Sequence, residues 1–279
     1  MNLDNLGKIC RFIEAHPRLV LLTGAGCSTG SGIGDYRDQE GRWKRPQPVM
    51  HQAFVAEESV RRRYWARSML GWPSFAGAEP NPAHHALAAL ERAGRVCGLI
   101  TQNVDGLHQA SGSDRVIDLH GRLADVVCLQ CGGRSERSAL QSWLTRVNAD
   151  LVADAFTAAP DGDADIERDP SADFRTPRCD DCGGILKPDV VFYGGRVPKS
   201  RVKDAYDLVD SADGLLVVGS SLMVYSAFRF VRHAQRIDLP MAAINKGRTR
   251  ADELLSDKLE ATCEKALPAI CAELNIAIR

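Results

Sequence analysis

The chain has 279 residues, enough for one large domain or for a large domain with a smaller one inserted. Its 35 basic and 36 acidic residues nearly balance, so the composition does not support a nucleic-acid or membrane-surface role. No apolar run approaches the roughly 20 residues of a membrane-spanning helix. Residues 1–6 also lack the basic start and apolar stretch of a signal peptide. We therefore expect a cytoplasmic protein without nucleic-acid or membrane partners.

The first predicted strand leads into an unusual glycine-rich stretch. After a helical spacing over residues 2–15, the apolar run at 19–22 is typical of a buried parallel strand. Five glycines follow within eleven residues, at 24–34, and bare backbone N–H groups there could approach a phosphate. The G-x-G-x-x-x-G spacing is one residue longer than the usual dinucleotide fingerprint, and no acidic residue is clearly placed about 20 positions on. The charged triplet Asp-Tyr-Arg at 35–37 favours phosphate binding over a structural turn.

Polar residues follow several later strands. A helix over 49–70 carries the basic run 61–67, which either forms a solvated face or contributes to a site. Asn81 and Pro82 begin a helix that ends near Gly94. The strand at 96–100 is followed by Thr-Gln-Asn-Val-Asp at 101–105, and the strand at 116–119 by His120. Since the carboxyl ends of parallel strands face the ligand crevice, these polar residues are candidates for a site.

Nine cysteines are an odd number, which argues against a fully paired disulfide framework. Those at 10, 27, 97, 263 and 271 are interpreted as small core residues. The other four form two C-x-x-C pairs, each followed by Gly-Gly, and four thiolates make a closed, structural zinc site. The zinc ligands are Cys128, Cys131, Cys179 and Cys182. The 47 residues between the pairs contain a predicted helix at 138–147 and an acidic extended loop at 148–173, which lacks the glycine and glutamate of a calcium loop.

The last third of the chain continues the alternation of strands and helices. Strands are predicted at 186–194, 214–218 and 241–244, with a helix at 199–210. This alternation predicts an α/β fold, a doubly wound, Rossmann-like parallel sheet with a smaller inserted zinc-binding domain. The predicted bounds are 1–122 and 187–279 for the Rossmann-like domain and 123–186 for the zinc module, with helical residues 47–80 in the small domain.

Taken together, the motifs resemble those of the sirtuin family, the NAD-dependent protein deacylases. The matching motifs are GAGCS, DYR, TQNVD, HG, two C-x-x-C pairs, KPDVVFYG, GSS and NKG, in family order over nearly the whole chain. The stretches RYWAR, GWP, NPAH and APDGD resemble the class II branch, which includes mitochondrial sirtuin 4. One departure is Gly34, where the family usually has proline, and it predicts a less rigid cofactor loop.

The resemblance implies a site that consumes NAD. The implied NAD-binding residues are Gly24, Ala25, Gly26, Ser28, Asp35, Tyr36, Arg37, Gln102, Asn103, Val104, Asp105, Gly219, Ser220, Ser221, Asn245, Lys246, Gly247 and Cys263. The acyl oxygen of a modified lysine attacks the ribose as nicotinamide leaves, and the acyl group ends on ADP-ribose. The implied catalytic residues are His120, as general base on a ribose hydroxyl, with Asn103 and Asp105.

The resemblance also implies how the substrate binds. An acyl-lysine protein would enter as an added strand between residues 190–192 and 223–225. A Tyr-x-x-Arg pair at the base of the acyl pocket is typical of sirtuins that remove acidic acyl chains. The implied substrate-binding residues are Tyr64, Arg67, Val190, Val191, Phe192 and Val224. We expect a monomer with one structural zinc ion.

Other functions remain open at this point. A protein mono-ADP-ribosyltransferase would use the same bound NAD with a different nucleophile. An NAD-linked dehydrogenase would reduce NAD and raise its near-ultraviolet absorbance. A zinc-ribbon nucleic-acid module that only senses NAD is disfavoured by the balanced charge and by the lack of a basic, aromatic-rich stripe near the cysteine pairs.

Overall fold

The computed structural model describes residues 1–44, 48–150, 157–158, 162, 164–165 and 173–278. The helices are α1 (Leu3–Ala15), α2 (His51–Ala56), α3 (Glu58–Ala76), α4 (Pro82–Arg92), α5 (Leu107–Ala110), α6 (Arg137–Val147), α7 (Lys199–Asp210), α8 (Tyr225–Arg236) and α9 (Cys263–Glu273). The strands are β1 (Leu19–Thr23), β2 (Val96–Thr101), β3 (Val116–Asp118), β4 (Gly121–Cys128), β5 (Arg134–Glu136), β6 (Thr157–Ala158), β7 (Ala164–Asp165), β8 (Leu186–Val190), β9 (Gly214–Val218), β10 (Met241–Ile244) and β11 (Asp257–Leu259).

The chain divides into two compact units. Unit 1 comprises Met1–Arg45, Glu79–Leu119 and Val197–Arg279, and unit 2 comprises Pro46–Ala78 and His120–Arg196. The domain bounds and binding roles expected from the sequence stay predictions.

Unit 1 is built on a six-stranded parallel sheet in the order β11-β10-β9-β1-β2-β3. Numbered along the chain, these strands stand in the order 6-5-4-1-2-3, which is the doubly wound arrangement of dinucleotide-binding folds. Every residue of β1, β9 and β10 is buried, as expected for strands covered by helices on both faces. The predicted fold class is confirmed.

Two core clusters cover the two faces of this sheet. One contains buried residues of α1, α4 and α9, and the other contains buried residues of α7 and α8. Helix α1 begins where the side chain of Asn2 accepts a hydrogen bond from the backbone N–H of Asp4 at 2.9 Å, which is an N-cap. It ends at His16, just before Pro17, because the residue before a proline avoids the helical conformation.

Unit 2 contains the antiparallel sheet β5-β4-β8 together with α2, α3 and α6. Its core is a cluster of aromatic and aliphatic side chains. The buried members are Phe54, Tyr64, Trp65, Ala66, Met69, Val126, Leu144 and Phe174.

The prediction of a single helix over residues 49–70 is wrong, because the chain forms two helices, α2 and α3, with a break at Glu57. The backbone of Glu57 is extended, at φ −114° and ψ 120°. The guanidinium of Arg61 donates to the carbonyl oxygens of Phe54 and Val55, both at 2.8 Å, and pairs with Glu58 at 2.8 Å. Arg61 is therefore buried and ties the two helices together, so it does not belong to a solvated basic face.

Five strands were not predicted: β4, β5, β6, β7 and β11. Within the loop expected over 148–173, β6 and β7 pair antiparallel. The other predictions on that loop fall mainly on residues outside the described ranges.

Candidate functional site

The order of the parallel strands reverses between β1 and β9, and both strands end in glycine-containing loops. The backbone N–H of Gly24 donates to Val218 O at 3.0 Å, and that of Gly26 donates to Gly219 O at 2.9 Å. A Cβ on Gly24 would lie 2.8 Å from the Cβ of Ser220, and one on Gly26 would lie 2.9 Å from Gly219 O. Only glycine allows these two loops to meet at the switch point, where open α/β sheets bind their ligands.

The loop after β2 joins the same network. The side-chain amide of Gln102 donates to Thr23 O at 3.1 Å and to Ser220 Oγ at 2.8 Å. The amide of Asn103, which is buried, donates to Gly24 O at 3.2 Å and to Ser28 Oγ at 3.0 Å. These hydrogen bonds link the ends of three strands, β1, β2 and β9. The side chains that form them were predicted from the sequence to belong to one site.

Asp105 lies beside the glycine loop as a restrained carboxylate. Ser28 Oγ donates to its Oδ2 at 2.7 Å, and the backbone N–H of Leu107 donates to its Oδ1 at 2.9 Å. Burial raises the pKa of Asp105 above the ordinary value, and these two hydrogen bonds partly oppose the shift. Val104, between Asn103 and Asp105, is partly exposed.

The charged triplet at 35–37 is braced by a residue that sequence reasoning missed, Trp43. The guanidinium of Arg37 lies 4.1 Å from the centroid of the Trp43 ring and donates to Gly41 O at 2.7 Å. Tyr36 meets the same ring edge-on at 6.3 Å, and Asp35 forms an ion pair with Lys44. The loop therefore has its own side-chain support, although Gly34 stands where a proline was expected.

The segment after β10 packs against residues near this loop. The backbone N–H of Asn245 donates to Leu259 O at 3.1 Å, and its side chain donates to Gly247 O at 3.1 Å. Gly247 has φ +91°, and a Cβ there would lie 2.6 Å from Gln39 O. Lys246, between them, is exposed.

Two further predicted residues lie near β9. The backbone N–H of Arg250 donates to the carbonyl of Ser221 at 2.9 Å. Cys263 is 2 % exposed and belongs to the same core cluster as Cys27, which confirms the interpretation of both as core cysteines.

Asn81 is a second residue that the sequence signalled only as a helix start. Its side-chain amide donates to Cys27 O and to Ser31 Oγ, both at 2.9 Å, so the N-terminus of α4 holds the glycine loop. The Asn-Pro signal could have pointed to this role, because an N-cap residue has donors left for neighbouring loops.

In unit 2, His120 directly precedes β4 and is half-buried. Its carbonyl accepts a hydrogen bond from the backbone N–H of Val191 at 2.8 Å, and Val190 pairs with Gly121 in the ladder between β4 and β8. The backbone of His120 is therefore hydrogen-bonded to the predicted substrate-binding segment, residues 190–192.

Tyr64 and Phe192 lie in one aromatic cluster of unit 2. Tyr64 is 3 % exposed, and its ring centroid is 5.1 Å from that of Phe192 and 5.4 Å from that of Phe54. Arg67, one turn of α3 further on, is half-buried. The exposed member of the basic run is Arg63.

Residues 223–225, which were expected to flank the added substrate strand, form no strand of their own in unit 1. Val224 is extended, at φ −85° and ψ 123°, but it is the N-cap of α8, so Tyr225 is helical. Helix formation sets in here because α8 has an apolar stripe that includes Ala227, Phe228 and Val231.

The four predicted zinc ligands converge. Their sulfur atoms all lie within 4.8 Å of one another, with 3.5 Å between Cys128 and Cys182 and 3.8 Å between Cys131 and Cys179. A tetrahedral zinc ion with Zn–S bonds of about 2.3 Å would separate its sulfurs by about 3.8 Å. The donor set and its dimensions therefore fit a structural zinc ion.

The two cysteine pairs have the same local geometry. Gly132 N donates to Cys128 O at 3.0 Å, and Gly183 N donates to Cys179 O at 2.8 Å. Both glycines have positive φ, 74° and 71°. The Gly-Gly that follows each pair thus closes a tight turn that aims both sulfurs inward.

Within the described ranges, every helix is too short or too polar to cross a lipid bilayer.

Comparison with known proteins gives concordant matches. A model of the Sir2 family matches residues 24–226. The NAD-dependent protein deacetylase 2 of Bradyrhizobium diazoefficiens is 58 % identical over 256 residues, covering 92 % of this chain and 94 % of the relative. An NAD-dependent protein deacetylase of Bordetella bronchiseptica is 52 % identical over 268 residues, covering 96 % of this chain and 98 % of the relative.

Solved structures agree with this match. A structure of Sir2 bound to acetylated peptide has a TM-score of 0.78 at 27 % identity and covers 98 % of this chain and 99 % of that chain. A Sir2 structure with a p53 peptide and NAD+ has a TM-score of 0.78 at 28 % identity, covering 97 % of this chain and 98 % of that chain. The class II resemblance stays a prediction.

Proposed function

Because the chain belongs to the Sir2 family, we propose that it is an NAD-dependent protein lysine deacylase of the deacetylase type. It transfers the acyl group from lysine to ADP-ribose and releases nicotinamide. The observation that carries this proposal is the hydrogen-bonded set of Gln102, Asn103, Ser28 and Ser220 around the switch point of a doubly wound sheet. The side-chain amides and hydroxyls of this set, with the nearby carboxylate of Asp105, suit a ribose and a carboxamide.

Bound NAD supplies an electrophilic ribose carbon and a nicotinamide leaving group. Asn103 and Asp105 hold this region, because each has a side chain fixed by hydrogen bonds to Ser28. Fixed polar groups need no reorganisation as positive charge develops on the ribose, which is how a preorganised site lowers a barrier. Asp105 is the negative group that favours this charge.

His120 acts as general base and accepts a proton from a ribose hydroxyl. The backbone carbonyl of His120 accepts a hydrogen bond from Val191, which fixes the base to the segment proposed to bind the substrate. We propose that an acyl-lysine peptide binds as an added strand along residues 190–192 of unit 2.

The acyl chain is proposed to end near Tyr64 and Arg67. Tyr64 packs against Phe192, the last residue of the substrate-binding segment, so an acyl chain that passes Phe192 approaches α3. A guanidinium there pairs favourably with a carboxylate through charge-assisted hydrogen bonds. We therefore propose that acyl chains ending in a carboxylate, such as glutaryl, are removed faster than acetyl.

The zinc ion is structural. Cys128, Cys131, Cys179 and Cys182 would occupy all four positions of a tetrahedral ion, which leaves none for water or substrate. None of the nine cysteines, all of which lie in the described residues, forms a disulfide. This suits the reducing cytoplasm, the proposed location.

The function is tested with a panel of acyl-lysine peptides, incubated with and without NAD and read by mass spectrometry. We expect NAD-dependent loss of the acyl group, fastest for the acidic acyl chains. A peptide that gains the mass of ADP-ribose would instead favour the transferase, and accumulation of reduced NAD would favour a dehydrogenase.

A further inference from the structure

Three buried polar side chains of unit 1 meet beneath the glycine loop: Cys27, His84 and His108. They are 0 %, 0 % and 1 % exposed. The sulfur of Cys27 and one ring nitrogen from each histidine lie within 4.8 Å of one another. None of them has a role in the reaction proposed above, so their polar atoms need a separate explanation.

The hydrogen bonds of His84 determine where its proton lies. His84 is the third residue of α4, and its Nδ1 accepts the backbone N–H of Asn81 at 3.2 Å, in a capping box. Nδ1 is therefore unprotonated, so the neutral ring carries its proton on Nε2. That Nε2 is buried without a hydrogen-bond partner at normal distance, so it is a donor in need of an acceptor.

His108 has a buried ring nitrogen that requires a hydrogen-bond donor. Its Nε2 is hydrogen-bonded to Thr23 Oγ1 at 2.9 Å, whereas its Nδ1 is buried without a partner at normal distance. If Nε2 donates to Thr23, Nδ1 is an acceptor. The sulfur of Cys27 lies within 4.8 Å of a ring nitrogen of each histidine. A thiol can accept one hydrogen bond and donate another.

We propose that Asn81, His84, Cys27, His108 and Thr23 form one ordered chain of hydrogen bonds that positions the NAD-binding loops. The direction is from the Asn81 N–H to His84, from His84 Nε2–H to Cys27 Sγ, from the Cys27 thiol to His108 Nδ1, and from His108 Nε2–H to Thr23. This direction assigns an acceptor to every donor, so it gives a partner to each of the two buried ring nitrogens that otherwise have none.

The chain joins the elements that carry the proposed site. Thr23 directly precedes Gly24, and its carbonyl accepts from Gln102. His108 lies in α5, which begins two residues after Asp105. His84, Cys27 and His108 are therefore positioning residues, which act through the loops at 24–28 and 102–105. The inference that these residues affect the reaction rests on the proposed function. The protonation states predicted for the two histidines do not depend on it.

The same three side chains could hold a metal ion only with a different protonation. A metal ion on His84 Nε2 would move the ring proton to Nδ1, where it would face the Asn81 N–H and break the capping box. The observed cap therefore favours hydrogen bonding over metal ligation, and one zinc ion per chain is expected.

The direct test is the tautomer of each ring in the zinc-loaded protein labelled with ¹⁵N-histidine. Long-range ¹⁵N–¹H spectra at neutral pH should give Nε2–H for both His84 and His108, with His84→Gln and His108→Gln assigning the signals. A proton on Nδ1 of His84 would overturn the proposal. A second zinc ion per chain that His84→Gln removes would also overturn it.

A second test measures the positioning role. Leucine at His108 removes the acceptor and the donor, whereas glutamine retains one of each. We expect His108→Leu to weaken NAD binding, measured by calorimetry, by about tenfold, the effect of roughly 1.4 kcal/mol. His108→Gln should restore most of the affinity.

The matched control is His85→Leu, because His85 is the neighbour of His84 on α4 but is partly exposed. It should leave NAD affinity unchanged. Equal affinity of His108→Leu and wild type would overturn the positioning role. Failure of deacylation with NAD binding intact in the wild type would count against the proposed function alone.

Discussion

His120 is the residue on which the proposed proton transfer depends. Replacing it with alanine should lower the rate of NAD-dependent deacylation on the order of 10²–10⁴-fold, because that is the usual contribution of a general base. The backbone bond from Val191 to His120 O does not involve the side chain, so the fold should survive. Turnover is measured together with zinc content and thermal midpoint. Near-normal turnover in a folded variant would remove His120 from the mechanism.

Arg67 is the residue on which the proposed acyl preference depends. Arg67→Met should raise KM for glutaryl-lysine at least several-fold more than KM for acetyl-lysine, because only the acidic chain loses a charge-assisted hydrogen bond. Arg63→Met is the matched control, since Arg63 lies one turn earlier in the same basic run and is exposed. An unchanged ratio of the two KM values would show that Arg67 does not meet the acyl carboxylate.

The roles of some residues could be predicted from the sequence, and the roles of others could not. The strand-end residues Gln102 and Asn103 were found because a polar run directly after a buried strand is a strong signal. The role of Trp43 was not found because its contact with Arg37 depends on how the loop between them folds. The role of His84 was not found because it depends on a tautomer and on Cys27, which is distant in sequence. The sequence left open whether the basic run with Arg61 forms a solvated face or part of a site, whereas Arg61 binds two carbonyl groups and is buried.

The cysteine turns after β4 and before β8 are the elements that need zinc. Cys179→Ser should give insoluble or strongly destabilised protein, because an incomplete thiolate set loses the folding free energy that the metal supplies. Cys97→Ser is the control, since this half-buried cysteine lies outside the zinc set. Solubility, zinc content and activity are measured for both. A soluble, active and zinc-free Cys179→Ser protein would contradict the structural role.

Elements with a strong local signal were predictable, and those formed by distant pairing were not. β1, β9 and β10 are continuous buried runs, and α4 begins with an Asn-Pro cap. By contrast, β11 has only three residues, of which two are charged, and it becomes a strand by pairing with β10. The break between α2 and α3 depends on a side chain four residues after it.

For the molecule as a whole, the two buried histidines of unit 1 predict a pH dependence of stability. Burial lowers the pKa of His84 to about 4 and that of His108 to about 3, from 6.5. Below pH 6.5 the unfolded chain binds protons at these sites and the folded chain does not. This contribution to stability is therefore present above pH 6.5 and is lost as the pH falls toward 4.

For each of these histidines, the free energy of unfolding should fall by about 2 kcal/mol as the pH is lowered from 7 to 5. Urea unfolding at the two pH values measures this loss. His108→Gln should lose less stability than the wild type over the same interval, and because both proteins have the same zinc site, loss of metal affects them equally. Identical losses would contradict the low pKa of His108.

The central claim for the whole chain is that the acyl group is transferred to ADP-ribose and not released by hydrolysis. The most direct measurement uses a peptide with a ¹³C-labelled acetyl-lysine, NAD and the zinc-loaded enzyme, with products quantified by mass spectrometry at early times. The account predicts equimolar deacylated peptide, nicotinamide and ¹³C-acetyl-ADP-ribose. Labelled free acetate from the first turnovers, or deacylation that proceeds without NAD, would contradict it.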